Sequence, residues 1–173
     1  GDKAETARSL RMLGVLYRNL DDEDLASRYL LEALSYVEER NRREAIALHG
    51  ELTGALTRLE KLPEAEHHGQ QAVRLAELSG SHPNKVNAFT RVAELRLLQG
   101  RIDEAEQWVE RANASYDHVA VRDKTLVRIS RLRVLAARNN TAQALKEADV
   151  VLADVRDLGD RILERSLLDL LSE

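Results

Sequence analysis

The chain has 173 residues and a mass of 19.5 kDa, with 26 basic against 30 acidic side chains and a net charge of −4, which is room for one domain or a short array of repeated units. At 43% hydrophobic and 32% charged it is too apolar for disorder, and its 3% aromatics and two prolines favour long helices over sandwiches or barrels. The absence of cysteine excludes a disulfide framework, a cysteine nucleophile, an iron–sulfur cluster and a cysteine-based zinc site, and the acidic balance excludes a global positive field for nucleic acid or anionic lipid.

No apolar run approaches the roughly 20 residues that span a bilayer, and Gly1-Asp2-Lys3-Ala4-Glu5 is unlike a secretory signal, so a cytoplasmic location is expected. Opening without methionine reads as an excised piece of a longer protein.

In chain order, Leu10, Leu13 and Tyr17 give helical spacing over 3–19, and the acidic run Asp21 to Asp24 opens a second helix over 22–39, where capping and the helix dipole favour acids. Leu48, Leu52, Leu56 and Leu59 mark a helix over 41–59, and Pro63 opens another over 63–78. Gly80-Ser81-His82-Pro83 leads into 84–98, followed by 102–116, then 119–138 and 141–155. Leu158, Ile162, Leu163, Leu167, Leu170 and Leu171 give a last helix, 158–172, a broad apolar face. Covering the open end of a stack, or pairing with a second copy or with a neighbouring segment, would bury it.

The second helices carry a small or apolar pair seven residues apart: Ala26 and Ala33, Ala65 and Ala72, Ala105 and Ala112, Ala144 and Val151. Their first members lie 39, 40 and 39 residues apart, so the antiparallel helix hairpin is the repeating element. The reading is a single all-α domain over 1–173, with hairpin units at 3–40, 41–80, 81–117 and 118–156 and a closing segment at 157–173. Trp108 and Tyr29 read as packing residues between helices.

Leu13-Gly14 and Tyr17, followed by Ala26 and Ala33, resemble the tetratricopeptide repeat. Unit three resembles it through Val92-Ala93, Gly100, Asp103-Glu104-Ala105 and Ala112, with Arg96 where the family carries an aromatic, so that Arg96 must rely on its aliphatic stem. Thr53 and Leu56 stand at these places in unit two, and Leu132 and Leu135 in unit four. The period exceeds the family's usual ~34 residues and is similar to kinesin-light-chain-type repeats and the helical regions of bacterial regulators. The resemblance implies a right-handed α-solenoid of four hairpins plus a capping helix, whose first helices line a concave groove for a peptide or protein segment. It implies no catalysis, and it suggests the regulatory part of a larger bacterial regulator.

By the family's register the groove positions are Arg8, Arg11, Met12, Val15, Arg18 and Asn19 in unit one, and Ala47, Gly50, Glu51, Gly54, Thr57 and Arg58 in unit two. Unit three adds Asn87, Thr90, Arg91, Glu94, Leu97 and Leu98, and unit four adds Leu126, Ile129, Ser130, Arg133, Ala136 and Ala137. Six arginines then face two glutamates. Two readings follow: an acidic segment held by guanidinium forks, or arginines that solvate a face and pair with neighbouring glutamates. A C-terminal carboxylate clamp, as in one subset of the family, is disfavoured, because Val15 and Glu51 stand where it needs asparagines. Gly50 and Gly54 read either as close helix packing or as a recess for a partner's bulky side chain.

His67 and His68 are adjacent and diverge on a helix, Glu64 and His68 lack a third ligand, and His49, His82 and His118 have no companions in the sequence, so no metal or cofactor is expected. No nucleophile elbow, phosphate-cradling loop or singled-out carboxylate pair is present, and an enzyme is not expected. Self-association as a homodimer through the last helix, and nucleic-acid binding through the same arginines, are the alternatives, the second disfavoured by the scarcity of aromatics for base stacking.

Overall fold

A computed structural model describes residues 2–38 and 41–172. Nine α-helices are present among them: α1 Lys3–Asn19, α2 Glu23–Ser35, α3 Arg42–Arg58, α4 Leu62–Ser79, α5 His82–Leu98, α6 Ile102–Asn113, α7 Val121–Ala137, α8 Thr141–Leu158 and α9 Arg161–Ser172. A 3-10 turn at Tyr116–His118 joins α6 to α7. The result is the all-α array of four helix hairpins and a closing helix that the sequence implies, and no strand occurs among the described residues.

The turn inside each hairpin is the same backbone feature four times. Asp21, Glu60, Gly100 and Asn139, each one period apart, take φ values of 60°, 55°, 71° and 56°, the left-handed conformation that ends a helix and reverses the chain. The Asp22 carboxylate then accepts from the Leu25 N–H at 3.0 Å and caps α2, so the acidic run is a helix start. Pro63 and Pro83 lie in the first turns of α4 and α5, where a missing N–H costs nothing.

Several boundaries depart from the sequence expectation. α2 ends at Ser35, whose hydroxyl donates to the Glu32 carbonyl at 2.7 Å, so 36–38 lie outside the helix, and 39 and 40 lie outside the described residues. α6 stops at Asn113, and the remainder of its expected length is a turn that leads into the 3-10 helix at Tyr116. Leu158 closes α8, because Gly159 at φ 63° breaks the apolar run before α9. Of the expected α9 face, Leu163 and Leu167 are buried, Leu171 is 38% exposed, and the Ile162 side chain lies outside the described residues.

The paired small residues are the contact points. Ala26, Ala33, Ala65, Ala72, Ala105 and Ala112 have no exposed surface, and the apolar clusters run across unit boundaries, with Leu30 and Ala33 packed against Leu48, Leu52 and Ala55. A Cβ on Gly14 would come within 2.6 Å of Leu30 Cγ, so α1 can approach α2 only without a side chain there. Arg96 is tied more firmly than an aliphatic stem requires. Its guanidinium is held by both Glu66 carboxylate oxygens, by Gln99 Oε1 at 3.0 Å and by Glu104 Oε2 at 3.3 Å, joining α4, α5 and α6.

α3 packs on α5 and α5 on α7, while the second helices meet one another at most marginally. The row of first helices is therefore the tighter layer, and the array curves with that layer inside.

Candidate functional site

The inner layer carries a row of charges that crosses from helix to helix. Arg11 Nε donates to Glu44 Oε1 at 2.7 Å, joining α1 to α3. Arg18 meets Glu51, which also lies 3.6 Å from Arg91, so one α3 carboxylate joins α1 to α5. Glu94 on α5 then faces Arg91 at 3.3 Å, Arg133 of α7 at 3.4 Å and Arg58 of α3 at 3.8 Å. Arg58 also pairs with Glu23 of α2.

These contacts set the ionisation of the row. Burial works to raise the Glu94 carboxyl, but Arg133, Arg91 and Arg58 outweigh it and hold the group at about 2. Burial, with Arg91 and Arg58 close by, lowers the Arg18 guanidinium to about 9, with Glu23 and Glu94 opposing. Both groups are charged at neutral pH.

The second of the two sequence readings of the arginines describes what the fold itself does with them: five of the six engage glutamates of the chain. Two of those partners were missed in the register reading. Glu44 sits in the first turn of α3 and Glu23 at the start of α2, both outside the inward-facing set, and they reduce the local excess from plus four to plus two. Helix-start acids are read as caps, and only the three-dimensional array brings them to the arginines.

Gly50 and Gly54 are closed by packing. A Cβ on Gly50 would lie 2.5 Å from Asn87 Oδ1, and one on Gly54 3.2 Å from Arg91 Nη1. Side chains of α5 thus occupy the space, and the lack of a side chain at the two glycines leaves Arg91 room beside Glu51 and Glu94. Thr57, Thr90, Ile129 and Ser130, expected to line the groove, are buried; Thr57 and Thr90 donate to the Thr53 and Val86 carbonyls at 2.6 and 2.9 Å. Val15, Asn19, Ala47 and Leu97 are partly buried, whereas Arg8, Ala136 and Ala137 are exposed, and Met12 and Leu98 are 68% and 52% exposed. The accessible inner surface is therefore an arginine–glutamate row edged by small and flexible apolar side chains.

Among the described residues no group of three or more histidines and carboxylates is arranged to hold a metal ion, and no helix is long and apolar enough to cross a membrane.

Curved stacking of helix hairpins, with a polar inner layer and buried small residues at the joints, defines a helical-repeat scaffold. Residues 43–117, from α3 to the 3-10 turn, match the family model of the tetratricopeptide repeat. Repeats of this family serve generally as non-catalytic scaffolds for protein–protein interaction. No curated protein matches the chain.

Proposed function

We propose that the inner layer holds a segment of another protein that carries carboxylates. The observation that carries this reading is the shared use of Glu51 and Glu94: each serves more than one arginine, so guanidinium donors outnumber the carboxylate oxygens that receive them. A carboxylate arriving along the row finds arginines already ordered, which lowers the entropy lost on binding. Met12 and Leu98 supply adaptable apolar contacts beside it. Polyanions without side chains to match the row gain less, because the chain's own glutamates screen the arginines. A place in a larger bacterial regulator rests on the sequence resemblance.

Fluorescence anisotropy with a labelled Glu- and Leu-rich peptide tests the reading, with the Lys counterpart and a single-stranded oligonucleotide of equal negative charge as controls. The Glu peptide is expected to bind, and Arg8→Gln with Arg58→Gln to weaken it by about 3–10-fold. Equal binding by the Lys peptide, or stronger binding by the oligonucleotide with a steep salt dependence, would overturn it.

Self-association is the second reading, favoured by the two ends of the array. Leu13, Leu16 and Leu20 of α1 are 39%, 51% and 66% exposed, and Leu168 and Leu171 of α9 are 44% and 38% exposed. Light scattering across a concentration series separates it from the first.

A further inference from the structure

We propose that His49 and His68 form a proton-sensitive clasp that holds α4 on α3 near neutral pH and loosens that hairpin on acidification. The two Nδ1 atoms face each other at 2.9 Å. One must donate and the other accept, so the contact holds one proton between the rings and is lost once both rings are protonated. The ring centroids are 5.1 Å apart and the planes tilted by 37°. That separation is close to the N–N distance plus a ring radius at each end, so the two Nδ1 atoms point at one another, the N–H of one at the lone pair of the other, rather than converging on a shared metal position.

The place of the pair in the repeat says why its charge matters. One period on, the same hairpin slot holds Phe89 and Trp108, with centroids 5.5 Å apart, and one period back it holds Leu10 and Tyr29. Unit four carries Arg128 and Glu147 there. In unit two the slot that holds an aromatic pair in unit three is filled with rings that can gain a proton. His68 is only 9% exposed, so a proton gained by either ring would put a cation in a mostly dry contact, and protonation of both would set two N–H groups face to face.

Glu64, one turn before His68 on α4, is the exposed carboxylate nearest in sequence to the pair. The groups that act on His49 are His68, His67 and Arg74, all on α4 and all cationic when protonated. Among the carboxylates of the packed helices, Glu44 and Glu51 of α3 are committed to Arg11, Arg18 and Arg91, Glu66 of α4 to Arg96, Glu94 of α5 to Arg58, Arg91 and Arg133, and Glu23 of α2 to Arg58. Burial first, then these neighbours, pull His49 down to about 4, and burial and His67 lower His68. A histidine whose folded value is depressed takes up its proton more readily in the unfolded chain. Stability is therefore full above about 6.5 and is lost as the pH falls towards 4. Because α3 also carries Glu51 and Arg58, loosening it from α4 disturbs the charged inner row.

Thermal unfolding at pH 7.0 and 5.0, the latter above the carboxylate range, tests the proposal on the native chain and on the His49→Gln, His68→Gln double variant. The two amides can exchange a hydrogen bond without titrating. The native midpoint is expected to fall about 5 °C further than that of the variant; parallel falls would overturn the clasp. Should the variant not fold, nitrogen-15 NMR titration of the native imidazoles decides: a His49 midpoint below 5 supports the clasp, and midpoints of both rings near 6.5 refute it.

Discussion

Glu60 sits in the left-handed conformation at φ 55°, where a Cβ crowds the following carbonyl, while the equivalent residue one period on is Gly100 at φ 71°. Glu60→Gly should relieve about 1 kcal/mol of strain and raise the unfolding midpoint by about 2–4 °C in a calorimeter. An unchanged or lower midpoint would mean that the turn relaxes around Glu60 at no cost. The acid cap on α2 was readable from Asp21 to Asp24, since capping is decided by residues within one turn. The His49–His68 contact was not: its members lie 19 residues apart, on different helices, and only the slot shared with Phe89 and Trp108 reveals the pairing. Arg96 was read through its stem because the acids that fix it, Glu66 and Glu104, belong to two other helices.

At the scale of the helices, the alanine pairs carry the stacking. Ala65 and Ala105 have no exposed surface, so Ala65→Leu and Ala105→Leu should each cost about 1–3 kcal/mol by overpacking and lower the unfolding midpoint by about 3 °C or more. Ala142, exposed on α8, serves as the control, and Leu there should leave the midpoint in place. Equal midpoints at all three positions would contradict stacking through these alanines. The existence and order of the helices were legible because apolar spacing and the 39- to 40-residue recurrence of small residues are local and redundant signals. Their ends were less so. Ser35 and Asn113 stop helices whose apolar pattern continues, and Gly159 divides a leucine-rich run that reads as unbroken until its φ of 63° is seen.

Over the whole molecule, the first helices touch along one layer and share carboxylates, while the second helices diverge. Curvature and charge row thus have one origin, the close approach of α3 and α5 at Gly50 and Gly54, where Asn87 and Arg91 fill the space a side chain would take. The family register placed the arginines on this layer, but their pairing follows from the spacing of neighbouring helices, which no single helix encodes. The most direct test is an NMR titration of the nitrogen-15-labelled chain with the Glu-rich peptide. The account predicts saturable shifts of backbone amides on α3 and α5 around Glu51, Gly54, Arg91 and Glu94. Shifts confined to the outer helices α4 and α6, or none at peptide concentrations that saturate binding, would contradict it.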